Sequence, residues 1–292
     1  MKKLIFTGAA TAIVTPMNKD FSVNYSKLKE LTENQIKGSI DALVVCGTTG
    51  ESSTLTAEEH FNVIKTVVDT AKGRVPVIAG AGSNNTAHSI ELCKSAEKAG
   101  ADALLLVTPY YNKTSQDGLV AHYTHIADNV SLPIIIYNVP SRTGVNVKPA
   151  TYKALSKHKN IVAVKEANPD VAQVCESIAL CGEDLAFYSG NDDTIVPFMS
   201  IGCKGVISVL SNVLPYETHK MCADYLSGDT HSAAKAQIKY IGLIRALFCD
   251  VNPVPVKEAM NILGMDVGPV RLPLCSTNEK NIELIKKELE KI

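Results

Sequence analysis

The sequence predicts a (β/α)8 barrel with a C-terminal helical extension. Three observations carry that expectation. Eight short apolar runs are spaced over the first 210 or so residues, amphipathic stretches of helical period lie between them, and one phrase recurs at helix ends: a Gly followed at once by a strand. The runs are continuous rather than alternating, as strands of a parallel sheet buried on both faces must be.

The first run is Phe6–Val14. With Met1-Lys2-Lys3 before it and Ala10-Thr11-Ala12 inside it, it resembles a secretory signal. Thr7 and Gly8, however, break the apolar stretch below the roughly 7–15 residues that such a signal needs. A buried first strand fits better. The helix Tyr25–Lys37 and the strand Ala42–Cys46 follow. Thr56 and Glu59 then form a capping-box pattern that opens the helix Ala57–Lys72. Val75–Ala79, Ala103–Val107 and Pro133–Tyr137 are strands, separated by the helical stretches Asn85–Ala99 and Asp117–Asn129. Ile161–Lys165, Leu185–Ser189 and Gly205–Val209 complete the eight. Gly38, Gly100 and Gly202 each stand where a left-handed helix cap is wanted. From about Pro215 the chain reads as helix, with Gly228–Phe248, Val254–Leu263 and Asn278–Lys291, and a strand-like run only at Val270–Leu274. The expected division is a catalytic barrel over 1–214 and a helical extension over 215–292. An open doubly wound sheet is the rival, but it needs a Gly-rich turn after its first strand, and Val14-Thr-Pro-Met has none.

Composition excludes several classes of function. Lys plus Arg total 29 against 30 Asp plus Glu, so no basic excess exists to neutralise phosphates, and aromatics are 5% with no Trp to stack on bases. Nucleic acid is not an expected partner. No apolar run reaches the roughly 20 residues that span a bilayer, so no membrane is expected either. The eight cysteines are scattered, without C-x-x-C or zinc-like spacing, and read as reduced thiols of a cytoplasmic protein.

In such a barrel the chemistry sits where strands end. Those ends carry Gly47-Thr48-Thr49-Gly50-Glu51-Ser52, Thr108-Pro109-Tyr110-Tyr111-Asn112, Tyr137-Asn138, Lys165-Glu166, Ser189-Gly190-Asn191-Asp192-Asp193 and Ile207-Ser208. Lys165 closes the apolar run Ile161–Val164, so its amine would stand at a desolvated mouth. Burial favours the neutral amine, and a neutral amine attacks carbonyls to form a Schiff base. A lone lysine there more often snorkels to solvent or pairs with a carboxylate such as Glu166. Hydroxyls on several neighbouring strand ends tip the balance toward a nucleophile. Tyr137, Thr48 and Tyr111 would form a proton-moving chain, and the Gly47–Gly50 turn would offer N–H groups to a carboxylate. His122 and His125 have a metal-like spacing but no third ligand, and a solvated helix face explains them. Asp192-Asp193 read as ordinary partners of a helix dipole. Gly80-Ala-Gly82 lacks the third glycine of a dinucleotide fingerprint. Neither a metal nor an organic cofactor is expected.

Taken together, Gly47-Thr-Thr-Gly-Glu-Ser, Tyr137-Asn-Val-Pro-Ser-Arg-Thr-Gly and Val164-Lys-Glu-Ala resemble the dihydrodipicolinate synthase (4-hydroxy-tetrahydrodipicolinate synthase) family. Pro109-Tyr-Tyr-Asn, Ser189-Gly-Asn-Asp-Asp, Asn252-Pro-Val-Pro-Val-Lys and Arg271-Leu-Pro-Leu extend the resemblance along the whole chain. It implies a Schiff-base-forming lyase of lysine and diaminopimelate biosynthesis that joins pyruvate to L-aspartate 4-semialdehyde. Lys165 would carry the imine, Tyr137 would be the general acid/base, and Thr48 and Tyr111 would complete the relay. Thr49, Gly190 and Ile207 would hold pyruvate, and Arg142 the semialdehyde carboxylate. Tyr111 would reach a neighbouring subunit's site in a homotetramer built as a dimer of dimers. Members inhibited by lysine have an interface pocket that corresponds here to Ser52, His60, Asn84, His88 and Tyr110. Ala57 stands where they have a His and His88 where they have a Glu, so weak or absent feedback is expected. N-acetylneuraminate lyases and 2-keto-3-deoxy sugar-acid aldolases share the fold and the imine, but Thr48 and Arg142 favour the synthase. A catalytically silent binding protein on the same scaffold would lack Lys165 or Tyr137, and both are present.

Overall fold

Side chains on a strand alternate with a period of two, so each barrel strand sends one set inward and the other toward the surrounding helices. In the computed structural model, which describes residue 2 and residues 4–292, this produces two apolar layers. Eight parallel strands close in chain order: β1 (Gly8–Ala12), β2 (Ala42–Val45), β3 (Val77–Gly80), β4 (Ala103–Val107), β5 (Ile134–Asn138), β6 (Ile161–Glu166), β7 (Ala186–Ser189) and β8 (Gly205–Ser208). The outer layer packs Leu43, Val45, Leu104, Ile134, Val164 and Phe187 against the helices. The inner layer includes Ala10, Ala42, Ala103, Ile135, Ala163 and Ile207. At its floor Phe6 stacks on Tyr188, ring centres 4.2 Å apart, and the Tyr188 hydroxyl donates to the Phe6 carbonyl at 2.6 Å. The bulk lies at the bottom, so the open space lies at the top.

β1 is shorter than the run Phe6–Val14 at both ends: Phe6 turns in to plug the floor, and the Val14 N–H donates to Asn212 Oδ1 at 3.1 Å instead of to a strand. Closure of the ring needs two glycines. Gly8 pairs with Gly205, both at positive φ (106° and 144°), and a Cβ on Gly205 would lie 1.7 Å from the Gly8 carbonyl oxygen.

The expected helices appear as α1 (Tyr25–Lys37), α2 (Ala57–Ala71), α3 (Thr86–Ala99) and α4 (Gln116–Asp128). The capping box of α2 is present, with the Thr56 hydroxyl accepting from the Glu59 N–H and Glu59 accepting from the Thr56 N–H. Four helices between β5 and β8 lie outside the sequence expectations: α5 (Pro140–Thr143), α6 (Pro149–Leu155), α7 (Val171–Cys181) and α8 (Ile195–Ser200). At 4 to 7 residues α5, α6 and α8 are too short for a helical period to declare itself, whereas the 11 residues of α7 carry one in Val174, Ile178 and Cys181. α9 (Pro215–Leu226) packs back on β1, while α10 (Thr230–Ala246) and α12 (Glu279–Leu289) pack together farther out, with α11 (Val254–Ile262) against α12. Val270–Leu274 is not a strand; a turn closes there, with the Leu274 N–H donating to the Arg271 carbonyl at 3.0 Å. No described helix is long and apolar enough to cross a membrane.

Candidate active site

Tyr137 and Lys165 stand opposite each other on β5 and β6, near the C-terminal ends of both strands. Both point inward, because Ile135 and Tyr137 share one face of β5 and Ala163 and Lys165 share one face of β6. They meet above the small residues of the inner layer, at a cavity of about 200 Å³ lined by Thr48, Thr49, Tyr137, Arg142, Lys165 and Gly190 among others. Six of the eight residues expected at the catalytic centre therefore share one space.

Lys165 is 6% exposed, and its ammonium lies 4.4 Å from the centre of the Tyr137 ring. Burial lowers its pKa from 10.5 to about 8, partly opposed by the Asp192 carboxylate and reinforced by the Arg142 charge. At pH 7 about a tenth of such an amine is neutral, against roughly one part in 3,000 for an ordinary lysine. It forms no ion pair among the described residues. Glu166, the neighbouring carboxylate, points to the opposite face. It accepts from Asn138 Nδ2 (2.8 Å), the Asn168 N–H (2.8 Å) and the Tyr152 hydroxyl (2.7 Å), and burial raises its pKa to about 7.

The Tyr137 phenol is pushed up by burial, while the Arg142 charge and the Thr48 hydroxyl draw it back. Thr48 and Thr49 sit on a turn closed by Gly50 N–H to Gly47 O (3.1 Å) and Glu51 N–H to Thr48 O (3.1 Å). These bonds use N–H groups other than those of the two threonines. The Thr49 oxygen accepts from Asn252 Nδ2 at 3.0 Å, which leaves the Thr49 hydroxyl proton free to donate elsewhere. Arg142, on α5, donates from Nη2 to the Asn252 carbonyl at 3.2 Å, with its remaining donors at the mouth. The Gly190 N–H is engaged by the Glu166 carbonyl at 2.7 Å, so any ligand contact from Gly190 falls to its own carbonyl. A Cβ at Gly190 would lie 2.8 Å from that of Ala167.

Two expected residues do not line this cavity. Ile207 is fully buried lower in the barrel, paired with Ala10, and Val209 lines the space in its stead. Tyr111 points away from it. Its side chain is 90% exposed and its backbone holds a left-handed φ of 67°, uncommon for a residue other than glycine.

A second hollow of about 500 Å³ adjoins the first and shares Thr48, Arg142 and Asn252 with it. Ser52, His60, His88 and Tyr110 line it, as does Ala57, but Asn84 does not. Instead the Asn84 carbonyl accepts from Asn112 Nδ2 at 3.0 Å. His60 Nε2 lies 2.8 Å from the Gly80 carbonyl, and burial lowers its pKa. His88 is exposed, with Nδ1 3.1 Å from Glu91 Oε2.

Two sequence expectations are corrected nearby. His122 does not lie on a solvated face; it is buried against Thr86, with Nδ1 2.9 Å from the hydroxyl, and burial lowers its pKa to about 4. Asp192 does more than face a helix dipole, since its Oδ2 accepts from the N–H groups of Val209 and Leu210, both at 2.9 Å, and ties β7 to the end of β8. Asn252 was missed as a site residue. It lies 203 residues from Thr49, and its only local mark is the Asn-Pro step that halts the chain before α11. Among the described residues no three His, Cys, Asp or Glu side chains gather to hold a metal ion.

Residues 5–292 match the model of the dihydrodipicolinate synthetase family. The chain is 52% identical over 290 residues to the 4-hydroxy-tetrahydrodipicolinate synthase of Acetivibrio thermocellus, covering 99% of this chain and 98% of the relative. It is 54% identical over 288 residues to the enzyme of the same name from a Thermoanaerobacter species, covering 98% and 97%. The crystal structure of the chloride-inhibited dihydrodipicolinate synthase from Acinetobacter baumannii, complexed with pyruvate, superposes with a TM-score of 0.96. That protein is 43% identical, with 98% of each chain covered.

Proposed function

The chain belongs to the dihydrodipicolinate synthetase family and is a lyase with 4-hydroxy-tetrahydrodipicolinate synthase activity, and from that premise we propose that it joins pyruvate to L-aspartate 4-semialdehyde through an imine on Lys165. The observation that carries this reading is the buried Lys165 amine beside Tyr137 at a closed-floored cavity, with its pKa lowered to about 8.

The neutral Lys165 amine attacks the keto carbon of pyruvate. Loss of water leaves a protonated imine, an electron sink that lets the methyl group give up a proton. The resulting enamine bonds to the aldehyde carbon, whose oxygen takes a proton. The substrate's own amine then attacks the imine carbon and displaces Lys165 as the ring closes. Tyr137 is the general acid/base for these transfers, and Thr48 passes the proton on. Thr49 donates to the pyruvate carboxylate, Gly190 bounds its site, and Ile207 supports the pocket from the strand below. Arg142 takes the semialdehyde carboxylate, which suits its planar fork. Offered aspartate semialdehyde and N-acetylmannosamine in parallel, the enzyme is expected to consume pyruvate only with the first; turnover with the amino sugar alone would overturn the assignment.

Tyr111 completes the relay from a neighbouring copy, in a homotetramer arranged as a dimer of dimers. Its 90% exposure and left-handed backbone support this, since a single chain gives the side chain nothing to hold it. Sedimentation is expected to return four times the 31.3 kDa chain mass; a monomer that is fully active would refute it. We assign the hollow around Ser52, His60, His88 and Tyr110 to the position where relatives are inhibited by lysine, with Asn84 beside it. Ala57 brings no polar atom there and His88 is turned to Glu91. Lysine is expected to have little effect, and half-inhibition at sub-millimolar lysine would contradict this. All eight cysteines are free thiols, which supports a cytoplasmic location; recovery of the activity from a secreted fraction would contradict it.

A further inference from the structure

The Gly47–Glu51 turn that carries Thr48 and Thr49 is gripped from outside the barrel. Glu51 is 3% exposed and adopts a left-handed φ of 54°, a conformation a non-glycine residue keeps only when its surroundings hold it. Its Oε1 pairs with Lys257 Nζ at 2.9 Å, and its Oε2 accepts from the Arg271 N–H at 2.9 Å. Lys257, on α11 and 2% exposed, also donates to the carbonyls of Thr15 (3.2 Å) and Pro269. The Thr15 hydroxyl in turn donates to the Gly50 carbonyl at 2.7 Å, so the turn is held on two sides.

A fully buried ion pair is a poor way to gain stability, because both charges lose their water and an apolar pair of similar volume does as well. Its distinctive property is that it holds one geometry. Five residues before Lys257, Asn252 donates to Thr49 through Nδ2 and accepts from Arg142 through its carbonyl. One short segment of the extension therefore touches the turn at Glu51 and Thr49 and reaches across to Arg142.

We propose that the Glu51–Lys257 pair is the positioning device of the carboxylate-binding turn, through which the C-terminal extension sets the enzyme's affinity for pyruvate. Neither residue lines the cavity of Lys165; they act through Thr49. The proposal rests on the reading of Thr49 as the residue that meets the pyruvate carboxylate.

The test compares the full-length wild type with K257M, E51Q and the double variant E51L/K257M, in which both charges are gone and no unpaired one is left buried. Pyruvate KM is expected to rise at least about tenfold in K257M and in the double variant, with kcat at saturating pyruvate kept within about threefold. E51Q, which keeps the shape and one acceptor, is expected to fall between them and the wild type. Amide exchange over residues 47–52 is expected to speed up at least about tenfold in the same variants, while the barrel strands stay protected. A folded double variant with wild-type pyruvate KM would overturn the proposal, as would unchanged exchange in the turn. So would a fall in kcat accompanied by equal rises in both KM values, which marks general loss of structure. If the wild type itself forms no pyruvyl adduct at Lys165, the functional reading fails instead, and the exchange data alone decide whether the pair holds the turn.

Discussion

Replacing Lys165 with alanine is expected to lower turnover by at least about 10³-fold, because among the described residues no other lysine lines the cavity and what remains is substrate binding alone. The fold is expected to survive. Lys165 makes no ion pair among the described residues, and its removal relieves a desolvated charge, so the thermal midpoint should equal or exceed that of the wild type. Equal activity in K165A, or its collapse together with the fold, would contradict the assignment. The wild-type pH profile carries the same information. Burial lowers the folded-state pKa to about 8, so the reactive neutral fraction grows as pH rises through that value. The kcat/KM for pyruvate is expected to climb about tenfold per unit below pH 8 and to level off above it. A profile still rising steeply at pH 10 would mean that an ordinary, solvated lysine does the work.

The second large effect belongs to Tyr137. Its phenylalanine variant keeps the ring against Lys165 and the strand pairing with β6, and loses only the hydroxyl. A fall in kcat of about 10²- to 10³-fold is expected, within the range for one positioned proton carrier. The imine with pyruvate should still form, though more slowly, because the nucleophile is untouched. This separates the two residues. Loss of Lys165 is expected to abolish the covalent adduct, and loss of the Tyr137 hydroxyl to slow the steps around it. A fully active Y137F would remove Tyr137 from the chemistry.

The barrel was legible in the sequence because strands buried on both faces need continuous apolar runs, and Ala103–Val107, Ile161–Val164 and their counterparts have no other good use. Lys165 and Tyr137 were legible for the same reason: a polar residue that closes such a run stands at the mouth. What the sequence concealed is long-range. Glu51 and Lys257 are 206 residues apart, and nothing local in either marks a buried pair. Asn252 sits in a helical extension that reads as packing material, although it bonds to Thr49 and to Arg142. Asp192 was misread because its partners, the N–H groups of Val209 and Leu210, come from the next strand unit rather than from the helix it opens. Tyr111 is the reverse case, since its oddity is visible only in the backbone, at φ 67°, and in its exposure.

The claim on which the rest depends is that Lys165 is the imine-forming amine. Peptide mass analysis after incubation with pyruvate and borohydride tests it most directly, since reduction fixes the imine as a stable secondary amine. One pyruvyl adduct per chain, confined to the peptide that contains Lys165, is the expected result. No adduct, or label spread over surface lysines, would show that burial at the mouth of the barrel does not make this residue a nucleophile.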